Sequence, residues 1–196
     1  SAVHVPQHVV PVLQCCAPPG GKSFARAEKM NGKGSVTSCD IYEHKLKRIR
    51  DGAARLGLSN IRTELQDASV CREEWKDSAD VVLCDVPCSG LGIIRKKPEI
   101  RFKNPDEIRT LPEIQARILA NCAQYVKKGG TLVYSTCTIL QRENEDVVRA
   151  FLTENPEFEA VSWTHPVCGE RADGMVTLLP PVHNTDGFFI AKMHRK

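Results

Sequence analysis

Hydrophobic residues along the chain fall into short runs separated by longer amphipathic stretches. The runs Val9–Gln14, Ser35–Cys39, Ile61–Leu65, Ala79–Cys84 and Thr131–Ser135 are bounded by Gly, Asn or Asp and predict buried strands. Ser23–Met30, Glu43–Leu56, Asp106–Val126 and Gln141–Glu154 carry apolar residues at helical spacing. Gly57 stops the second of these helices. The third is expected to end on Lys127-Lys128-Gly129-Gly130, where basic residues and Gly suit a helix C-terminus. Gly90–Pro105 reads as a long loop. Two late strands, Phe158–Val161 and Phe188–Met193, flank a looser segment in which Cys168-Gly169-Glu170-Arg171 reads as loop. Strands alternating with helices predict an α/β fold, a Rossmann-like doubly wound and mostly parallel sheet.

Composition narrows this picture only a little. The 196 residues suit one domain spanning 1–196, and the early strand behind Ser1-Ala2 leads us to expect a further segment upstream. With 41% hydrophobic and 26% charged residues the chain is ordinary for a globular protein. A net charge of +3 permits a polyanionic partner without requiring one. Local clusters say more: Lys45, Lys47, Arg48 and Arg50 share one helix, and Arg95-Lys96-Lys97 precede Arg101 and Lys103. Nine cysteines without Cys-x-x-Cys pairs or a His partner pattern predict buried thiols in a reducing cytoplasm, with no metal and no disulfide framework. No apolar run approaches membrane-spanning length. A monomer is the default expectation.

The chemistry gathers where strands end. In open α/β sheets ligands bind beyond the carboxyl ends of the strands. Cys16-Ala17-Pro18-Pro19-Gly20-Gly21-Lys22-Ser23 joins the first strand to the first helix. It lacks the spacing of a phosphate-binding P-loop and of a dinucleotide fingerprint. What remains is a glycine turn that admits a ligand to backbone N–H groups at a helix start. The next two strands end at Asp40 and Asp67, suited to ribose hydroxyls and an adenine amine, although either Asp could instead cap a helix. Together these features describe an adenosine pocket without a polyphosphate, which S-adenosylmethionine fits. The fourth strand feeds Asp85-Val86-Pro87-Cys88-Ser89-Gly90, and Cys137 lies just past the fifth. A right-handed crossover should set those two strands side by side, turning Cys88 and Cys137 toward one crevice. Two thiols and a carboxylate beside a methyl donor suit methylation of pyrimidine carbon 5, because thiolate addition at carbon 6 makes carbon 5 nucleophilic. The target base would leave its stack to reach them.

Asp85-Val-Pro-Cys88-Ser-Gly, Ser135-Thr-Cys137-Thr, Cys16-Ala-Pro-Pro-Gly-Gly-Lys22 and Thr185-Asp-Gly-Phe-Phe189 resemble the RNA 5-methylcytosine methyltransferases of the Sun/Fmu family, most of all the bacterial 16S ribosomal RNA type (RsmB-like). The resemblance implies an S-adenosylmethionine-dependent methyltransferase domain acting on RNA. It implies Cys137 as nucleophile, Cys88 assisting product release, Asp85 at the cytosine ring edge and Lys22 in the active site. The glycine turn, Asp40, Asp67 and Asp85 would hold the cofactor, and Arg95, Lys96, Lys97 and Arg101 would contact RNA. Gln14 stands where the family carries Asp, so a weaker contact to the cofactor's amino-acid end is expected. Two other readings stay open at this point. A DNA cytosine-5 methyltransferase would attack through Cys88, but those enzymes carry Pro-Cys-Gln and would leave Cys137 unexplained. A non-catalytic RNA-binding scaffold would keep only a vestigial pocket.

Overall fold

The computed structural model describes residues 10–17 and 20–196. Chain order within it is β1 (Val10–Cys15), α1 (Gly21–Lys29), β2 (Gly34–Asp40), α2 (Glu43–Leu56), β3 (Ile61–Leu65) and β4 (Ala79–Asp85). Then follow α3 (Pro105–Ala123), β5 (Val126–Thr136), α4 (Glu145–Glu154), β6 (Phe158–Ala160), β7 (Trp163–His165) and β8 (Gly169–Arg171). Strand β9 (Met175–Leu178), α5 (Pro180–His183) and β10 (Phe188–Arg195) complete it. The main sheet runs β3-β2-β1-β4-β5-β10-β6, with β9 also on β10. From β3 to β5 every pairing is parallel, whereas β10 lies antiparallel to β5, β6 and β9. The doubly wound, mostly parallel expectation holds. Reversal between β1-β2-β3 and β1-β4-β5 creates a switch point at β1/β4, the place where such sheets bind ligands.

Apolar runs became strands because both sheet faces are covered. Val36, Val82, Cys84, Leu132 and Tyr134 are fully buried. Four cysteines, Cys15, Cys39, Cys84 and Cys122, sit in this core as small hydrophobes with raised thiol pKa values: Cys15 through its hydrogen bond with Cys122 and then burial, Cys39 through burial. At Cys84 a hydrogen bond with Cys122 lowers the value, outweighed chiefly by burial; at Cys122 a bond with Cys15 lowers it, outweighed by the Cys84 contact and burial. Helix α2 ends at Gly57 as expected, in the left-handed conformation (φ 68°) that glycine adopts without strain.

Four expectations need correction. Helix α3 stops at Ala123, short of Val126, because Tyr125 and Val126 are drawn wholly into the core. Tyr125 Oη accepts hydrogen bonds from Arg72 N and Asn121 Nδ2, and Val126 already pairs with Ala79. Lys127-Lys128-Gly129-Gly130 therefore caps no helix; it forms an irregularity near the start of β5, with Gly129 at φ 77°. Gln141–Glu154 is a 3-10 turn (Gln141–Glu143) and α4, broken at Asn144, whose side chain bonds Thr136 and Thr138 instead of continuing the helix. Gly90–Pro105 holds two 3-10 turns, Leu91–Ile93 and Pro98–Phe102. Cys168 precedes β8 and Gly169–Arg171 form it, in a hairpin with β7, so that segment is not plain loop. The expected start of the first strand at Val9 lies outside the described residues.

Candidate active site

Register places the fourth and fifth strand ends together: Asp85 pairs with Ser135, two residues before Cys137. From there the two loops are bonded to each other repeatedly. Ser89 and Thr138 share a hydroxyl hydrogen bond of 2.7 Å, and Gly92 N donates to Cys137 O at 3.0 Å. The loop before β10 joins them, with Gly187 N donating to Gly92 O at 2.8 Å. A Cβ on Gly92 would lie 2.2 Å from Gly187 O and 2.8 Å from Cys137 O, so only glycine lets the three loops meet. Beneath them Glu143, fully buried, accepts from Ser89 N (2.8 Å) and Gln115 Nε2 (2.9 Å); Gln115 Nε2 also donates to Pro87 O.

This scaffold brings Cys88 Sγ and Cys137 Sγ to 3.2 Å. Asp85 stands beside them, its Oδ2 2.5 Å from Lys22 Nζ and its Oδ1 accepting from Ser135 Oγ at 2.8 Å. Lys22 in turn lies over the Phe188 ring, 4.9 Å from its centroid. The two thiols share one proton, and their acidities split apart. The hydrogen bond from Cys88 lowers the Cys137 pKa to about 7, and the Lys22 ammonium helps, against burial and the Asp85 charge. The same contact, then burial, drives the Cys88 thiol far up. The split favours Cys137 as the thiolate and Cys88 as the thiol that donates to it.

Next to the thiols opens a cleft of about 710 Å3, lined among others by Cys16, Lys22, Asp40, Asp67, Asp85 and Cys137. That size suits a nucleoside-like ligand. Asp40 Oδ1 accepts from Tyr42 N at 3.0 Å, and Asp67 Oδ1 accepts from Ser69 N and Ser69 Oγ. No helix starts at Asp67, so its local role is a turn. In both carboxylates Oδ2 takes no hydrogen bond among the described residues. Between the two acids, Ile41 is 51% exposed and Ala68 offers a further apolar wall, a seat for a flat ring. Gly20 is required at the turn: its φ is 100°, and a Cβ would meet the Phe24 ring at 2.8 Å. Ala17 is buried, Gly21 is open, and Cys16 carries a thiol pushed up by burial. Pro18 and Pro19 lie outside the described residues. Gln14 does not reach the cleft: fully buried, it accepts from Ser23 Oγ, which also bonds Ser38 Oγ.

The basic segment divides in two. Arg95 and Lys96 face Asp186, at 3.6 and 2.5 Å, whereas Lys97 lines the cleft and Arg101 is exposed. Lys103, seen in the sequence only as part of a cluster, donates to Ser89 O at 2.8 Å in the loop after β4. Glu143 and Asn144 were not legible, because Gln-Arg-Glu-Asn-Glu-Asp reads as solvated helix surface, and Gln115 was one polar position among many on α3. Among the described residues no group of acidic, His and Cys side chains could hold a metal, and no helix is long and apolar enough to cross a membrane.

A family model described as "16S rRNA methyltransferase RsmB/F" matches residues 3–194. The chain belongs to the RsmB/F family. Among its curated relatives, a Bacillus subtilis protein named probable ribosomal RNA small subunit methyltransferase B is 47% identical over 94% of this chain. The chain spans 43% of that relative's length. Solved structures share its fold. The crystal structure of PH0851 superposes with a TM-score of 0.89 at 34% identity, covering 96% of this chain and 44% of that one. NSun6 from Pyrococcus horikoshii, solved with SFG, gives 0.83 at 26% identity, covering 96% and 48%.

Proposed function

We propose that this RsmB/F chain carries the catalytic unit for S-adenosylmethionine-dependent methylation of cytosine carbon 5 in RNA, with ribosomal RNA as the substrate. The carrying observation is the thiol pair, Cys88 and Cys137, in contact beside the Lys22–Asp85 pair. The cofactor assignment is supported by the adjoining cleft and by NSun6, solved with SFG, an S-adenosylmethionine analogue. The names of the curated relatives support ribosomal RNA.

Asp40 and Asp67 would hold the cofactor's ribose and adenine, with the turn through Ala17 and Gly20 below. When bound, the cofactor supplies an electrophilic methyl group. The chain's own residues prepare the base. The Cys137 thiolate bonds to carbon 6 and the ring electrons move toward carbon 5. Asp85, braced by Lys22 and Ser135, contacts the ring edge, and the Lys22–Asp85 pair supplies the proton taken up at ring nitrogen. Forming the sulfur–carbon bond consumes the negative charge that held Cys88 protonated, so Cys88 becomes more acidic at that moment. Its proton passes to solvent, and the Cys88 thiolate then takes the carbon-5 proton while the ring nitrogen returns its proton to the Lys22–Asp85 pair, the bond to Cys137 breaks and the Cys137 thiolate leaves. Lys97 and Arg101 meet phosphates directly. The exposed pairing of Arg95 and Lys96 with Asp186 is worth at most about 1 kcal/mol, so phosphates can displace it.

The test uses RNA, S-adenosylmethionine and denaturing gels. Cys88→Ala should accumulate a covalent RNA–protein adduct, and Cys137→Ala should form none. Adduct retained by Cys137→Ala overturns the assignment, and adduct lost only in Cys88→Ala points to the other thiol as nucleophile.

A further inference from the structure

Phe102 is 88% exposed, far more than any other large apolar side chain among the described residues. Leaving a phenyl ring in water forgoes the gain of burying it, so an aromatic held out in solvent calls for a reason. Its backbone is not loose. Phe102 ends the 3-10 turn Pro98–Phe102, whose Ile100 is buried under the catalytic loop. Ile100 Cδ1 lies 3.0 Å from where a Gly90 Cβ would stand, so the turn rests directly on that loop. On its other side, Lys103 Nζ is fixed to Ser89 O. Anchors at Ile100 and Lys103 therefore hold the backbone on both sides of Phe102 against the loop after β4, with Arg101 exposed next to it and Lys97 of the same segment lining the cleft.

A rigid aromatic face among cations is how proteins seize unpaired nucleobases: phosphates meet the charges and a base stacks on the ring. We propose that Phe102 is a stacking platform for an unpaired base flanking the target nucleotide, and so a specificity element favouring single-stranded RNA. This rests on the RNA reading above and deepens it.

Stacking on one aromatic is worth about 1–3 kcal/mol per base, which corresponds to roughly 5- to 150-fold in affinity. The probe is a short oligouridylate containing one cytosine, alone and annealed to its complement, titrated into the intact chain. Phe102→Ala and Phe102→Leu should both weaken single-strand binding within that range, with duplex binding unchanged; Phe102→Trp should keep it and show indole fluorescence quenching. An unchanged affinity in Phe102→Ala overturns the proposal. So does full affinity in Phe102→Leu, which would mean simple apolar contact, and so does Phe102-dependent binding to anionic lipid vesicles without binding to the strand. Absence of strand binding by the unaltered chain overturns it as well. If the strand binds through Phe102 but gains no methyl group, the methylation reading fails while the platform stands.

Discussion

Removing the Cys88 thiol should blunt Cys137 at neutral pH by a calculable amount. The Cys137 pKa stands at about 7 chiefly because Cys88 donates a hydrogen bond to its sulfur. In Cys88→Ala that donor is gone, and the pKa should climb toward the ordinary thiol value of 9.0. At pH 7 the thiolate fraction then falls from about one half to about 1%, a loss of roughly 50-fold. A more basic thiolate is also a better nucleophile, and with a Brønsted coefficient of about 0.4–0.5 the gain is roughly 6- to 10-fold. The net expectation is therefore a loss of about 5- to 8-fold at pH 7, reversing to a gain above about pH 8. Alkylation by iodoacetamide across pH, resolved by peptide mass spectrometry because the chain has nine cysteines, measures this directly. Neighbouring charges give the sign control. Lys22→Met should move the midpoint up, and Asp85→Asn should move it down, since the Lys22 charge lowers this pKa and the Asp85 charge raises it. A midpoint unmoved in Cys88→Ala, or faster alkylation of Cys88 than of Cys137 at pH 7 in the unaltered chain, would refute the assignment of the shared proton.

Gly92→Ala drives a Cβ into Gly187 O and Cys137 O, so a loss of about 1–3 kcal/mol in denaturant unfolding is expected, together with failure to form adduct; near-normal values for both would sink the three-loop account. Glu143→Ala leaves Ser89 N without its acceptor and also removes the acceptor of one Gln115 bond, costing about 1–3 kcal/mol in the same assay and slowing adduct formation even where the protein stays folded. Asp40→Ala should abolish calorimetric binding of S-adenosylmethionine while leaving the iodoacetamide profile of Cys137 in place. Tight binding by that variant would remove Asp40 from the cofactor site.

The fold was legible because its strands are buried on both faces and say so in apolar runs, while Gly57 marks a helix end without ambiguity. What failed were boundaries decided by tertiary contact. Helix α3 ends at Ala123 because Tyr125 finds a buried seat and the partners Arg72 N and Asn121, which no local pattern encodes. Pairing of Cys88 with Cys137 followed from chirality alone, a right-handed crossover between strands expected to be neighbours. The pair's supports did not follow. Glu143 sits in a run of polar residues whose spacing suits a surface helix, and only the break at Asn144 turns its carboxylate inward. Gln14, expected to make only a weaker contact to the cofactor than the family's Asp, instead accepts from Ser23 Oγ in a buried cluster with Ser38, a placement its position at a strand end does not show.

A shared proton between two thiols is a poor arrangement for stability and a good one for a reaction that must run forward and then undo itself. Were Cys88 replaced by a permanent cation, the Cys137 thiolate would be stabilised equally well, but nothing would be left to accept the carbon-5 proton. Were Cys88 remote, the charge on Cys137 would not control its acidity. Contact at 3.2 Å makes each thiol's state depend on the other's, so in the proposed reaction attack by one prepares the other to act as base. That coupling tolerates little play, which is why the loops after β4 and β5 and before β10 are joined backbone to backbone through Gly92 and braced from below by Glu143. Substitutions in those supports should therefore damage release and attack together, whereas substitutions at the thiols separate them.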